Sequence, residues 1–74
     1  MRDTNSKNNE YAVKLRELRK YKSLKQAYVA KELNISRSFL SKIENGKAIL
    51  SVALFIEYCK ILDLEIECVI NATI

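Results

Sequence analysis

Apolar positions recur at helical spacing along most of this chain. Within residues 10–22, 25–33 and 36–45, apolar side chains return every three or four positions, with charged or polar residues between them. A fourth stretch, from Ser51 to about Leu62, carries the i, i+3, i+4, i+7, i+10 stripe that is typical of a helix closing a core. The pattern therefore predicts four amphipathic helices around one small core.

Residues with known capping preferences mark the ends of these predicted helices. Ser36 and Ser51 are suitable N-caps, because a serine hydroxyl accepts a hydrogen bond from the free backbone N–H groups of the first turn. Asn34 can adopt the left-handed conformation that ends the second helix, and Gly46 can do so after the third. The second and third helices are therefore short and are separated by a three-residue turn.

These two short helices have the layout of a helix-turn-helix. Their predicted inward-facing positions are Val29, Ala30, Leu33, Leu40 and Ile43. Ile35 lies in the turn, where its side chain can fill the angle between the helices. Because such a unit presents its second helix to the major groove of DNA, the pattern favours a DNA-binding protein.

The apolar period changes to two after Asp63. The residues that alternate with Glu65 and Glu67 are Leu64, Ile66, Cys68 and Ile70. This alternation predicts a strand, and a strand without a partner leaves its backbone hydrogen-bonding groups unpaired. Since nothing earlier in the chain predicts a second strand, we expect these four residues to pair two copies of the chain in a homodimer. The alternative is a helical or frayed tail.

The length of 74 residues predicts a single domain with a small core. Residues 1–9 are polar and lack an apolar period, so we expect a flexible N-terminal arm, with DNA contact by Arg2 or Lys7 as the alternative. Residues 10–62 form the predicted helix-turn-helix domain, and residues 63–74 contain the predicted dimerisation strand.

The charge of the chain is unevenly distributed. Residues 1–47 hold twelve Lys and Arg against five Asp and Glu, a balance of +7. Residues 48–74 hold one Lys against four acidic residues, a balance of −3. Neutralisation of phosphates by Lys and Arg supplies much of the affinity of proteins for DNA, so the basic part of the chain suits a DNA-facing surface. The alternative is a solvated charged surface without a partner.

The composition offers little for catalysis or metal binding. The chain has no His and two cysteines, Cys59 and Cys68, which lack metal-ligand spacing. We interpret both as buried thiols, with a redox role as the alternative. Without a His, a carboxylate pair in a pocket or a Gly-rich loop, we expect no enzyme activity, no cofactor and no metal. The sequence shows no signal peptide and no apolar run of about 18 residues, so we expect a cytoplasmic protein.

The helix-turn-helix segment resembles that of the Xre/Cro-type phage repressors. The residues that carry this resemblance are Leu24, Gln26, Val29, Ala30, Asn34, Ile35, Ser36, Leu40, Ser41, Ile43, Glu44 and Gly46. Three positions depart from the family pattern: Val29 replaces Leu, Asn34 replaces Gly, and Leu50 replaces a Pro before the fourth helix. The resemblance covers about residues 11–64 and implies a mainly α, four-helix, lambda-repressor-like domain.

The resemblance also implies which residues meet DNA. The implied base contacts are Arg37, Ser38, Phe39, Ser41 and Lys42, and the implied phosphate contacts are Lys25, Gln26, Ser36, Asn45 and Lys47. Arg and Lys can donate to guanine O6 and N7, and an apolar edge can meet a thymine methyl group. The alternative for Arg37 and Lys42 is an ordinary solvated helix face, and the alternative for Phe39 is packing.

Arg19 and Glu44 match a pair that forms an internal salt bridge in the resembled family. Such a pair would tie the first helix to the end of the third. The alternative for Arg19 is a cation beside the phosphates.

The predicted C-terminal strand resembles that of HipB-type antitoxins over residues 61–68. This shorter resemblance implies a toxin partner of the HipA-like kinase type. The function that we expect is therefore a homodimeric repressor on a palindromic operator, and the second resemblance implies that it is also the antitoxin of a HipA-like toxin. The alternatives are a stand-alone phage or mobile-element regulator, and a protein-interaction module that does not bind DNA.

Overall fold

The computed structural model describes residues 6–72, which form five helices joined by short turns. In chain order these are α1 (Ser6–Tyr21), α2 (Gln26–Leu33), α3 (Arg37–Glu44), α4 (Val52–Ile61) and α5 (Ile66–Ala72). Helix α3 packs on α1 and α2, while α4 packs on α2 and α5 packs on α1. None of these helices over residues 6–72 combines the length and apolar character needed to span a membrane.

Four helices end in the same way, through a residue with left-handed backbone conformation. These residues are Ser23, Asn34, Gly46 and Asp63, with φ of 61°, 61°, 76° and 58°. After α2, for example, the Asn34 N–H donates to the Lys31 carbonyl and the Ile35 N–H donates to the Ala30 carbonyl, both at 3.0 Å. This paired arrangement satisfies carbonyls that a helix end leaves free, and it confirms the predicted roles of Asn34 and Gly46.

Serine caps begin the two helices for which the sequence predicted them. The Ser36 hydroxyl accepts from the Phe39 N–H at 2.9 Å, and the Ser51 hydroxyl accepts from the Leu54 N–H at 3.2 Å. Each serine has extended backbone geometry, as an N-cap requires. The predicted starts of the third and fourth helices are therefore confirmed.

The core lies where the apolar faces of all five helices meet. Its largest fully buried side chains include Tyr58, Leu15, Leu40, Ile43, Leu62, Val29 and Val69. Ile35, in the turn between α2 and α3, is partly buried and packs against this core. The inward positions predicted for the helix-turn-helix, namely Val29, Ala30, Leu33, Leu40 and Ile43, are all buried.

The prediction of an N-terminal arm is wrong for residues 6–9, which belong to α1. The amide of Asn8 donates to the Leu50 carbonyl at 2.8 Å and accepts from the Leu50 N–H at 3.0 Å. Asn9 lies so close to Gly46 that a Cβ added to this glycine would be 3.2 Å from the Asn9 side-chain oxygen. These polar contacts hold the start of α1 against the loop after α3. Because the contacting residues are polar, this part of the helix shows no apolar period in the sequence. Residues 1–5, including Arg2, lie outside the described residues, and the Lys7 side chain does too.

The C-terminal strand predicted for residues 64–70 is also wrong, because residues 66–72 form α5 and residues 6–72 contain no strand. Ile66, Val69 and Ile70 stand at i, i+3 and i+4, so the same segment fits a helical period as well. A helix satisfies its own backbone hydrogen bonds, whereas a lone strand needs a partner. Val69 is only 1% exposed and joins the core. Packing of one helical face therefore replaces the predicted pairing between two copies.

The helical conformation redistributes the four residues predicted to form the dimer strand. Ile66 and Ile70 lie one turn apart and line one groove, and Leu64 precedes the helix. Cys68 is exposed, although the sequence predicted a buried thiol, while Cys59 is buried as predicted. A strand would have placed all four side chains on one face, but a helix turns by about 100° per residue and separates them.

Substitutions at two neighbouring positions distinguish the helix from the strand. In α5 Val69 is buried and Cys68 is exposed, whereas the strand predicted the reverse. Val69→Ala is therefore expected to lower the free energy of unfolding by about 2 kcal/mol through lost burial and a small cavity. Cys68→Ala, the matched control, is expected to change it by less than about 0.5 kcal/mol. Urea unfolding measures both values, and a larger effect at Cys68 would contradict the helix.

Candidate nucleic-acid interface

The outward side of α3 forms an open cleft together with the first residue of α2. The cleft has a volume of about 490 Å³ and is lined by Gln26, Arg37, Ser38, Ser41 and Lys42. Among the residues that the structure describes, Arg37 and Lys42 are the only charged residues that line this cleft. Four of the five side chains predicted to contact bases thus lie around one concave, positively charged surface.

Phe39, the fifth predicted base contact, does not line this cleft. Its side chain is 39% exposed, and it stands on α3 about 200° around the helix from Arg37. The inner side of α3 carries Leu40, Ile43 and Glu44, all buried. The structure therefore leaves Phe39 at the border between the cleft side and the core side of the helix.

The predicted phosphate contacts lie mostly at helix ends. Lys25 precedes α2, Ser36 caps α3, and Asn45 and Lys47 follow α3, and all four are exposed. The Asn45 amide donates to the Ser41 hydroxyl at 3.3 Å, and its oxygen accepts from Arg16 at 3.4 Å. Gln26 differs from the others, because its amide is engaged by two side chains of the protein.

Glu44, at the inner end of α3, receives four hydrogen bonds from three other helices. Arg19 of α1 donates through Nε to Oε2 at 3.0 Å and through Nη2 to Oε1 at 2.9 Å. Gln26 of α2 donates to Oε1 at 3.1 Å, and the Tyr58 hydroxyl of α4 donates to Oε2. Glu44 is 1% exposed and Arg19 is 6% exposed. Arg19 thus faces inward to Glu44, and its Nη1 donates to the Leu24 carbonyl.

Burial and pairing also shift the pKa values of Tyr58 and Arg19, the two ionisable donors of Glu44. Burial, followed by the hydrogen bond and charge of Glu44, raises the pKa of Tyr58 well above its ordinary value of 10.0. Burial by itself lowers the pKa of Arg19, but the hydrogen bond and charge of Glu44 outweigh this and raise it. Both groups therefore keep their protons, as donors to a buried carboxylate must.

Several residues that support this surface were not predicted as site residues. Tyr58 is buried at 1% exposure. Arg16 donates to the Glu44 carbonyl at 3.3 Å and so supports the end of α3, while its buried Nε atom has no partner. Arg16 precedes Arg19 by three residues on α1, which was a signal available in the sequence. For Tyr58 and Asn8 the sequence contained no such signal.

A second concave surface lies between α4 and α5 and is almost entirely apolar. This apolar groove, of about 370 Å³, is lined by Asn8, Tyr11, Leu50, Val52, Phe55, Ile56, Ile66 and Ile70. Val52 on its rim is 74% exposed, and Ile49 just before Leu50 is 63% exposed. The groove and the cleft share no lining residue.

The described part of the chain offers no donor set for a metal ion. Over residues 6–72, no three His, Cys, Asp or Glu side chains come together as a metal site requires. Burial raises the pKa of the Cys59 thiol, which makes this cysteine a poor nucleophile at neutral pH.

Comparison with known proteins points in the same direction as the geometry. A family model described as helix-turn-helix matches residues 15–67, which is more than half of the chain. No curated protein and no solved structure gives a significant match.

The proton held by Tyr58 is expected to appear as a pH dependence of stability. An unfolded tyrosine loses its proton near pH 10, whereas the folded protein keeps Tyr58 protonated to higher pH. Its contribution is complete below pH 10 and falls above it by about 1.4 kcal/mol per pH unit. Tyr58→Phe is therefore expected to lower the free energy of unfolding at pH 7 by roughly 1–3 kcal/mol and to flatten the decline above pH 10.

Urea unfolding between pH 7 and pH 11.5 measures this effect. Tyr21→Phe is the matched control, because Tyr21 is 86% exposed. Its curve is expected to follow that of the original protein across the range. Equal alkaline slopes for the Tyr58→Phe variant and the original protein would contradict the raised pKa of Tyr58.

Proposed function

Because this chain belongs to the helix-turn-helix family of the Xre and lambda-repressor type, we propose that it is a transcriptional repressor that binds a palindromic DNA operator as a homodimer. Membership of this family makes the chain a DNA-binding transcription regulator. Sequence specificity, repression and the homodimer are our proposals. Repression would follow if the bound dimer blocked access of polymerase to its promoter.

The observation that carries the proposal is the cleft on α3. It is exposed, it lies on the helix that a helix-turn-helix inserts into the major groove, and Arg37 and Lys42 line it. Arg37, Ser38, Ser41 and Lys42 supply hydrogen-bond donors and acceptors that suit base edges. The remaining predicted base contact, Phe39, can meet a thymine methyl group from the border of this surface.

Exposed polar groups at the ends of α2 and α3 suit the phosphates on either side of the groove. Lys25 stands before α2, while Asn45 and Lys47 stand after α3, so the cleft has a polar or cationic group at each end. Ser36 can donate its hydroxyl hydrogen to a phosphate while its oxygen caps α3. Such contacts position a protein on DNA without reading its sequence.

We assign the dimer interface to the apolar groove between α4 and α5. A two-fold interface uses the same surface on both copies, so it needs a concave part and a protruding part within one patch. Tyr11, Phe55 and Ile56 supply the concave part, and exposed Val52 and Ile49 supply protruding side chains. A dimer would place two copies of α3 about one helical turn of DNA apart, roughly 34 Å.

The antitoxin function receives no support from the structure. It depended on the resemblance of a C-terminal strand over residues 61–68 to HipB-type antitoxins, and these residues instead form the end of α4, a turn and the start of α5. We therefore favour a stand-alone regulator without a HipA-like toxin kinase. A protein-interaction module that does not bind DNA is disfavoured by the exposed Arg37 and Lys42 in the cleft.

Base contacts and phosphate contacts are expected to respond differently to substitution. Arg37→Ala should weaken binding to a selected operator by roughly 1–3 kcal/mol and relax the preference at one base pair. Lys47→Ala should weaken binding to all duplexes alike and reduce the slope of log K against log salt by about 1. Selection from a random duplex library, followed by fluorescence anisotropy at several salt concentrations, measures both effects.

Lys60→Ala is the control for this experiment, because Lys60 is an exposed cation on α4 outside the cleft. Its operator affinity should equal that of the original protein. If the Arg37→Ala and Lys47→Ala variants bind operator and random DNA as the original protein does, the proposed surface is wrong.

The proposed dimer interface is tested by one substitution at its rim. Val52→Asp places a charge at an exposed position in the first turn of α4, where an acidic residue favours the helix, so the fold should persist. The variant should sediment as a monomer and lose cooperative binding to a two-half-site operator. Ala53→Asp, at an exposed neighbouring position that does not line the groove, should remain dimeric. A dimeric Val52→Asp variant would place the interface elsewhere.

A further inference from the structure

We propose that Gln26 acts as a positioning residue, which transmits the fixed orientation of buried Glu44 to Arg37 and so makes Arg37 specific for guanine. This inference rests on the proposed function and deepens it. It differs from the phosphate contact implied for Gln26 by the family resemblance. The two roles predict different consequences when the same side chain is replaced.

The first step is that Glu44 has a fixed position. Both carboxylate oxygens accept from Arg19, and Oε2 also accepts from the Tyr58 hydroxyl. Arg19 and Tyr58 are themselves buried, on α1 and α4. The carboxylate therefore cannot rotate without breaking hydrogen bonds inside the core.

The second step is that Glu44 determines which way the Gln26 amide points. A carboxylate only accepts hydrogen bonds, so it must face the amide nitrogen of Gln26, which lies 3.1 Å from Oε1. The amide oxygen then points away from Glu44 and accepts from Arg37 Nε at 3.2 Å. Because an arginine only donates, both neighbours of Gln26 require the same orientation.

The third step concerns the part of Arg37 that remains available. The hydrogen bond to Gln26 uses Nε, and no salt bridge joins Arg37 to an acidic residue of the described chain. The two terminal amino groups are thus available to donate at the cleft, and they match the O6 and N7 acceptors of guanine. Holding the exposed Arg37 before DNA arrives reduces the side-chain entropy that binding would otherwise cost.

The chain of hydrogen bonds therefore extends from the core to the reading surface, through Glu44, Gln26 and Arg37. Only a side chain with a donor and an acceptor at its end can occupy the middle of this chain. An amide of the length of Gln26 meets both requirements. The structure thus gives position 26 a role in choosing the base, although Gln26 need not touch that base.

Gln26→Lys separates positioning from phosphate contact. The lysine ammonium can still donate to Glu44, and its charge would strengthen any phosphate contact, but it repels Arg37. Positioning predicts that the preference for guanine at the Arg37 position, roughly 5- to 150-fold in the original protein, falls below about threefold. Phosphate contact alone predicts equal or tighter binding with an unchanged preference. The measurement is the anisotropy-derived affinity for the selected operator and for operators substituted at the base pair that Arg37→Ala identifies.

A double-mutant cycle with Gln26→Met supplies a second, independent readout. Met has nearly the same length as Gln and forms neither hydrogen bond. Positioning predicts that Gln26→Met reduces base preference in the original protein and has no further effect on it when Arg37 is already Ala. If the losses of preference multiply, or if Gln26→Met leaves the preference unchanged, the inference is overturned. Circular dichroism at the assay temperature identifies any variant that does not fold, and the other variant then carries the test.

Lys25→Met is the matched control, because Lys25 is the exposed neighbour of Gln26 and an expected phosphate contact. It should weaken binding to all operators alike and keep the preference for guanine. The experiment also separates two kinds of failure. If the original protein selects no duplex, the proposed function is wrong, whereas a selective protein whose Gln26→Lys variant keeps its preference refutes only the positioning role.

Discussion

The arrangement of this domain depends on one buried carboxylate. Glu44 lies at the end of α3, is 1% exposed and receives hydrogen bonds from α1, α2 and α4. A buried charge costs several kcal/mol unless it is paired and its remaining lone pairs are satisfied. Arg19 supplies the opposite charge, and Tyr58 and Gln26 satisfy the other acceptor positions. These partners come from three helices. The hydrogen bonds that stabilise the buried charge therefore also hold α3 against α1, α2 and α4.

This constraint has a direct consequence for the outward side of α3. A helix that reads base edges must present its side chains at defined positions, and residues on rigid elements do so better than residues on mobile loops. Here Leu40 and Ile43 hold the inner face by packing, while Arg16 supports the end of the helix through the Glu44 carbonyl and Asn45. The cleft that we propose for DNA is therefore built on a helix that the core and the buried carboxylate hold in place.

Both ends of the described chain differ from what the sequence predicted, for related reasons. Asn8 belongs to α1 because its amide pairs with the backbone of Leu50, a contact between residues 42 positions apart. The residues of α5 fit both a period of two and a helical period, and burial of Val69 decides between them. Local pattern is weak evidence where a segment is short and polar or where two periods fit equally well, because distant contacts then outweigh propensity.

The sequence by itself determined the helix-turn-helix, its inward-facing residues, the two serine caps and the left-handed residues at 34 and 46, because these depend on contacts within a few positions of the chain. It also indicated the four side chains of α3 that line the cleft, since a helix of known start has a known outer face. Only the tertiary structure decided that the C-terminal segment is α5, that Tyr58 donates to Glu44, and that Gln26 links Glu44 to Arg37. Each of these depends on residues far apart in sequence that the packing of helices brings within hydrogen-bonding or van der Waals distance.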